Sequence, residues 1–243
     1  GVLAAGADSD GSSPLRRAGE RLRSIDLAVL AAAGIVDVHA RRPRLRVVAV
    51  RSDALVAGAA QWVADDAARR GAESDDTGRG LTEALAAGDA DAVVAVGGTG
   101  SGRHDDSVRI LARVGRVAVH GVGLSPGETA AFGFAGDKPV LLLPGRLDAA
   151  LTVWLTIGRE ILRKLSGAVV TEDFAAAALS RKVTSTVGLA EVIPIRRSGA
   201  MAEPLATKYL SLATLARSDG WILVPAESEG YSAGAEVQVR PWP

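Results

Sequence analysis

The chain has 243 residues, of which 48% are hydrophobic and 23% charged, with a formal net charge of zero and no cysteine. This length is enough for one large domain or two smaller ones. Zero net charge gives no global attraction to nucleic acid or to an anionic membrane, and no apolar run reaches the ~18 residues of a membrane span. Without cysteine the chain has no disulfides and no thiolate metal sites, which suits a reducing cytoplasm. The chain begins with Gly1 and no signal peptide is visible, so we expect a fragment of a longer cytoplasmic protein.

The first two-thirds of the chain predict alternating strands and helices. After a loose segment over 1–14, a short helix is expected with Ser24 as its N-cap and Gly34 near its end. Strand–helix alternation of this kind predicts a mostly parallel sheet with helices on both faces, a three-layer α/β/α domain. In chain order we predict strand 45–50, helices 54–70 and 80–87, strand 91–96, helix 106–114, strand 116–119, a strand pair over 129–135 and 139–143, and a long amphipathic helix over 147–165.

Beyond residue 168 the pattern changes to short β-like runs separated by turn residues, which predicts a small β-barrel or sandwich. The predicted organisation is therefore a linker or partial domain over 1–42, an α/β domain over 43–167 and a β domain over 168–243. The predicted strands of the last part are 182–186, 189–195, 221–224 and 235–239.

The segment after the second predicted strand carries the main functional signal. The apolar run 93–96 ends in Gly97, Gly98, Thr99 and Gly100, and two carboxylates, Asp105 and Asp106, follow. Bare amides at the carboxyl end of a parallel strand favour an anion such as phosphate, and carboxylates suit a hard cation. An ordinary strand-to-helix turn, with Asp105 or Asp106 capping the next helix, explains the same residues equally well.

Further loops are expected at the same edge of the sheet. They are residues 51–53 after the first strand, 120–128 after the strand at 116–119, and 141–148 leading into the long helix. The last of these places Gly145 and Arg146 at a helix N-terminus, which also suits an anion. Together these loops predict a ligand pocket.

These blocks resemble the molybdopterin-binding domain of proteins of the MoeA and gephyrin E-domain type. The resemblance rests on Gly97-Gly-Thr-Gly with Asp105, on Pro126-Gly127 before Phe132-Gly-Phe134, and on Leu143-Pro-Gly145 opening a long helix. Their order matches over about residues 43–167, and residues 211–239 resemble the carboxy-terminal β domain of that family. The chain is thus identified as a divergent member.

The resemblance implies binding of molybdopterin in molybdenum-cofactor biosynthesis and, if the chain is active, Mg²⁺-dependent insertion of molybdate into adenylated molybdopterin by a molybdopterin molybdotransferase. It further implies a homodimer, with a molybdoenzyme or another biosynthetic protein as a partner. Asp105 and Asp53 would hold Mg²⁺ and act in catalysis. The ligand would contact residues of three loops: Gly97, Gly98, Thr99, Gly100, Ser101, Gly102 and Arg103; Ser125, Pro126 and Gly127; and Pro144, Gly145 and Arg146.

The chain also departs from the family's motifs. Ser125-Pro-Gly-Glu128 stands where the family commonly has Lys-Pro-Gly-Lys, and Pro144-Gly-Arg-Leu147 stands for Pro-Gly-Asn-Pro. Each lost lysine removes charge-assisted hydrogen bonds to oxyanions. These losses motivate an alternative function, a non-catalytic carrier or chaperone for the finished cofactor. Residues 207–211 fall where the family's last domain can approach a neighbour's pocket, although a solvated loop is the commoner interpretation.

Overall fold

A computed structural model of the chain describes residues 7, 11–75, 80–169 and 174–242. Much of the predicted entry segment over 1–14, and part of the chain after the predicted boundary at 168, lie outside these residues. The described helices are α1 (Ser24–Ala32), α2 (Ala54–Arg69), α3 (Leu81–Ala86), α4 (Ser107–Val114), α5 (Leu147–Val153), α6 (Arg159–Ser166) and α7 (Leu212–Arg217), with a π-helical turn (Trp154–Gly158) joining α5 to α6.

A mixed six-stranded sheet forms the centre of the first part of the chain. Its strand order is β2-β1-β3-β7-β6-β4, in which the first four strands run parallel and the last two alternate in direction. The strands are β1 (Arg44–Ala49), β2 (Glu73–Asp75), β3 (Ala92–Val96), β4 (Arg116–His120), β6 (Ala131–Ala135) and β7 (Lys138–Leu143).

Helices cover both faces of this sheet. One core packs α2, α5 and α6 against one face, and a second core packs α3 and α4 against the other. β3 is buried along its whole length, as expected of a central parallel strand covered on both sides. The predicted three-layer α/β/α arrangement is therefore confirmed.

The carboxy-terminal part forms a closed five-stranded barrel. The order β11-β8-β14-β12-β10 closes because β10 also pairs with β11. Its own apolar core includes Ile193, Ile195 and Ile222. The strands are β8 (Ala175–Leu179), β10 (Ala190–Ser198), β11 (Met201–Pro204), β12 (Gly220–Val224) and β14 (Glu236–Pro241), while β9 (Val183–Thr184) and β13 (Gly230–Tyr231) form a separate two-stranded ladder.

A short strand connects the two parts. β5 (Leu124–Ser125) belongs in sequence to the loop before β6, yet it pairs in parallel with the barrel strand β10, with Ser125 opposite Glu191. Among the described helices, none is both long and apolar enough to cross a lipid bilayer.

The structure corrects some local predictions. Ser24 is the first helical residue and not the N-cap; Arg23 holds that position, and its N–H donates to the Asp26 carboxylate. The predicted strand over 182–186 is shorter and lies outside the barrel, in the ladder with β13. Strands β8 and β11 have no counterpart in the prediction.

Candidate ligand-binding site

The loops that leave the parallel strands β3 and β7 meet at the carboxyl edge of the sheet. The Gly97 N–H donates to the Leu143 carbonyl at 2.8 Å, so the loop after β3 lies directly beside the end of β7. A Cβ atom added at Gly145 would lie 3.5 Å from the Gly97 Cα. The glycine loop and the Pro144–Gly145 corner, predicted to meet, are therefore adjacent.

The first two glycines of the loop are required by its conformation. Gly97 and Gly98 have φ values of +100° and +75°, a region that L-residues rarely adopt. A Cβ at Gly98 would lie 2.3 Å from the Ser107 Oγ, and one at Gly97 would lie 2.8 Å from Val50 Cγ2. Ser107 in turn donates its hydroxyl to the Gly97 carbonyl at 2.8 Å. The first turn of α4 thus holds the two glycines in place.

Thr99 and His120 add a second anchor to the loop. Thr99 is buried, and its hydroxyl lies 3.0 Å from the hydroxyl of Thr129. The Thr99 carbonyl lies 3.2 Å from His120 Nε2, which comes from β4. Ser107, Thr129 and His120 were not predicted as supports, because only the folded chain brings each of them within hydrogen-bonding distance of the glycine loop.

The predicted residues farther along the loop form an exposed turn. Ser101, Gly102 and Arg103 are exposed. The Asp105 carboxylate accepts the Gly102 N–H at 2.8 Å, so it closes this turn. Asp106 occupies the N-cap position of α4, but its side chain makes no capping hydrogen bond and pairs with Arg109 instead. Neither carboxylate is therefore the helix cap of the simpler interpretation.

Asp53, the other predicted metal ligand, caps α2. Its carboxylate accepts the Val56 N–H at 3.0 Å and lies 3.6 Å from the Arg51 guanidinium. Within the described part of the chain, no group of three His, Asp or Glu side chains is placed to hold a metal ion. Asp53 and Asp105 each accept a backbone N–H within their own loop, and Mg²⁺ binding by these two residues stays a prediction.

The Ser125–Pro126–Gly127 segment turns sharply beside the start of the long helix. The Ser125–Pro126 peptide bond is cis, and a Cβ at Gly127 would lie 2.7 Å from Val153 Cγ2. Partial burial raises the pKa of Glu128. Hydrogen bonds from the backbone N–H groups of Glu128 and Gly127 and from the Ser125 hydroxyl, together with the charge of Arg146, lower it by more, so the net pKa lies below the ordinary value. Glu128 is therefore an anion at neutral pH.

Arg146 lies where the sheet domain meets the barrel. Its Nε and Nη2 atoms contact the two carboxylate oxygens of Asp148 at 3.1 and 2.5 Å. That hydrogen-bonded pair raises the pKa of Arg146. The Arg146 guanidinium also lies 5.0 Å from the centre of the Tyr209 ring, which the barrel side contributes. Residues 141–148 were predicted as a pocket loop without a role for Asp148. For residues 207–211, which include Tyr209, a solvated loop was the preferred interpretation.

Two family models match the chain. The model described as "Probable molybdopterin binding domain" matches residues 52–164, and the model of the "MoeA C-terminal region (domain IV)" matches residues 176–242. The chain is 33% identical over 151 residues to a protein of Methanocaldococcus jannaschii named as a molybdopterin biosynthesis protein. The match covers 61% of this chain and 36% of the relative.

Solved structures agree with the family models. The molybdopterin biosynthesis MoeA protein of Pyrococcus horikoshii matches with a TM-score of 0.74 and 26% identity, over 93% of this chain and 61% of that one. A molybdenum cofactor biosynthesis protein of Pyrococcus furiosus matches with a TM-score of 0.71 over 98% of this chain and 82% of that one, and at 23% identity it supports the fold alone. The chain thus spans about three-fifths of the first of these structures and about one-third of the curated relative.

Proposed function

Because this chain belongs to the family of MoeA-type molybdopterin biosynthesis proteins, we propose that it binds molybdopterin and acts in maturation of the molybdenum cofactor. One observation carries the proposal: Gly97, which like Gly98 has a positive φ, lies against the Gly145 corner. The Gly97 N–H pairs with the Leu143 carbonyl, so we expect the N–H groups that follow it in the loop, those of Gly98 and Gly100, to meet a phosphate. The start of a long helix at Leu147 adds a favourable dipole.

Calorimetric titration of molybdopterin tests this proposal. A methyl group at position 98 would clash with Ser107 and strain the backbone, so Gly98→Ala is expected to weaken binding at least about tenfold. Gly145→Ala is the milder variant, since its new methyl group meets Gly97 and Val56 only at ordinary contact distance and folding should survive. It is still expected to weaken binding, because the methyl group faces the meeting point of the two loops.

The matched control is Gly88→Ala. Gly88 is exposed, and a Cβ there would meet nothing within 4 Å. Gly88→Ala should bind molybdopterin as the wild type does. If the wild type fails to bind, or if a folded Gly145→Ala variant binds as tightly as Gly88→Ala, the proposal is wrong.

A role in molybdate insertion is the finer form of this proposal. If Mg²⁺ binds, Asp105 and Asp53 would hold it through their carboxylate oxygens. The residues themselves would act by positioning: the glycine amides would fix the phosphate, and Arg146 would add positive charge beside it. Magnesium dependence is tested by titrating molybdopterin with and without Mg²⁺ into the wild type and Asp105→Asn.

A second candidate is the non-catalytic carrier, which the charge of the Ser125–Glu128 segment favours. Glu128 is anionic at neutral pH and lies close enough to Arg146 for the two charges to interact. A carboxylate at this point disfavours the approach of a second anion such as molybdate. Tight molybdopterin binding without molybdate insertion in an in-vitro assay would support the carrier, whereas turnover would exclude it.

A further inference from the structure

Tyr209 is an exposed residue whose backbone is held from both sides. Tyr209 is 63% exposed, yet the residues before and after it donate their N–H groups to two different buried carboxylates. The Lys208 N–H donates to Glu191 at 2.7 Å, and the Leu210 N–H donates to Asp148 at 3.1 Å. We call residues 207–210 the strap.

The two carboxylates come from different parts of the molecule. Glu191 lies on the barrel strand β10 and is 2% exposed, and Asp148 lies in the first turn of α5 and is 3% exposed. Burying a carboxylate is costly unless hydrogen bonds satisfy it. Besides the strap, the Ser185 hydroxyl donates to Glu191, and the Arg146 side chain and the Ala149 N–H donate to Asp148. The strap is therefore fixed to both domains at once.

The strap also contains an unfavourable backbone conformation. Lys208 is the one described non-glycine residue with a positive φ, +62°. Such a conformation costs on the order of 1 kcal/mol and persists where its surroundings impose it. The next residue closes a tight turn, in which the Tyr209 N–H donates to the Thr207 carbonyl at 2.7 Å. A loop left free in solvent would need neither this conformation nor two buried anchors.

The arrangement places the Tyr209 ring next to the candidate site. The Arg146 guanidinium lies against the ring, 5.0 Å from its centre, and Arg146 directly follows Gly145 of the ligand corner. Asp148 occupies Nε and Nη2 of Arg146, which leaves the Nη1 donors for a further oxygen. An exposed aromatic ring and an arginine side by side match a ligand that joins a planar ring to a phosphate.

We propose that Tyr209 is a ligand-binding residue that stacks on the planar heteroaromatic ring of a phosphorylated ligand, while Arg146 and the glycine loop hold the phosphate. This inference rests on the proposed function and adds a contact from the barrel to it. The ring is either the pterin itself or the adenine of its nucleotide-linked form. Both present a flat π-face that an aromatic side chain accepts.

Calorimetry with three probes tests the inference: a pterin monophosphate, AMP and inorganic phosphate. Tyr209→Ala is expected to weaken the binding of the probe whose ring stacks on Tyr209, pterin monophosphate or AMP, roughly tenfold, which is the usual scale of base–aromatic stacking. Tyr209→Phe keeps the ring and should bind within about twofold of the wild type. Inorganic phosphate has no ring, so its affinity should be the same in all three proteins. Loss with the pterin probe alone identifies the pterin as the stacked ring, and loss with AMP alone identifies adenine.

Leu212→Ala is the matched control, because Leu212 is 58% exposed and lies just beyond the strap. Thermal melting of each variant checks that the fold is intact. Equal weakening of the pterin probe and of phosphate in Tyr209→Ala would mean that the ring only positions Arg146, and it would overturn the stacking role.

The remaining outcomes separate this inference from the proposed function. Unchanged affinity for both ring-bearing probes in Tyr209→Ala, with Gly145→Ala still defective, overturns the stacking role and leaves the proposed function standing. A wild type that binds phosphate but neither ring-bearing probe also overturns the stacking role. A wild type that binds no probe, and no molybdopterin, overturns both.

Discussion

The carboxylates of Asp66 and Asp148 are buried to a similar degree, but Asp66 joins helices of one domain whereas Asp148 joins the two domains. Asp66 in α2 is 1% exposed, and its hydrogen bonds within the described residues come from side chains: Trp154 Nε1 at 2.7 Å, Arg159 Nε and Nη2 at 2.9 and 3.0 Å, and Arg70 Nε at 3.2 Å. Asp148, 3% exposed, receives one arginine and also the backbone N–H of Leu210, 62 residues away. Asp66 therefore joins two helices of one layer, whereas Asp148 fixes a loop of another domain.

Because their partners differ, we expect Asp66 to contribute to stability alone and Asp148 to contribute to ligand binding as well. The partners of Asp66 are Arg70 at the end of α2, Trp154 of the π-helical turn and Arg159 of α6. The partners of Asp148 are Arg146 of the ligand corner and the strap that carries Tyr209. Loss of Asp66 should therefore weaken the fold without changing the site, and loss of Asp148 should change both.

The largest expected effect is that of Asp66→Ala. Removing this carboxylate takes away the ion pair of the largely buried Arg159 and the acceptor of the buried Trp154 N–H, which should lower the free energy of unfolding by about 3–5 kcal/mol. Urea unfolding measures the change. Asp65→Ala is the control, since Asp65 is the exposed neighbour on the same helix and bonds only to Gln61 at 2.8 Å among the described contacts. Any remaining folded Asp66→Ala protein should bind molybdopterin normally; a binding defect there would break the comparison.

Asp148→Ala should be less destabilising but should impair binding. It removes the pair with Arg146 and leaves the buried Leu210 N–H unsatisfied, a loss of about 2 kcal/mol. Because the strap and Arg146 lose a shared anchor, pterin monophosphate should bind several-fold more weakly. Glu160→Ala, which breaks an exposed Arg163 pair on α6, is the control and should change neither quantity by much. Normal binding by Asp148→Ala would show that the strap is not part of the site.

The smallest expected effect is on acid stability. Burial raises the pKa of Asp66, but Arg159, Trp154 and Arg70 lower it more, so its net pKa in the folded protein lies below 3.8. The stabilisation by the carboxylate is therefore present above that pH and is lost as the pH falls through the lower, folded value. Urea unfolding from pH 7 to pH 3 should show the stability gap between wild type and Asp66→Asn narrowing below about pH 4. A gap that is constant over this range would contradict the assignment.

The sequence was informative where local chemistry decides the structure. Glycines after a β-branched run predicted the loop at the end of β3, and the apolar spacing over 147–165 predicted the long helix. β8 was missed because its sequence, AAAAL, has little intrinsic preference for strands and becomes one through pairing with β14 and β11. The π-helical turn was missed as well, although Gly158 marks it: a Cβ there would lie 2.2 Å from the Trp154 ring.

The junction between the domains could not be predicted, for a different reason. Asp148 and Glu191 each bond to a backbone N–H of a distant loop, and a backbone donor has no residue-type signature. Sequence reasoning therefore favoured a solvated loop over 207–211. Only the fold brings Tyr209 to Arg146.

Backbone amide NMR during titration with pterin monophosphate tests the central claim most directly, because it reports on the N–H groups themselves. We expect the largest chemical-shift changes at Gly98, Gly100 and Gly145, with smaller changes at Gly97, whose N–H pairs with the Leu143 carbonyl, and at Tyr209 in the strap. Saturable shifts confined to other regions, such as the barrel core or the N-terminal helix α1, with the glycine amides unmoved, would contradict it.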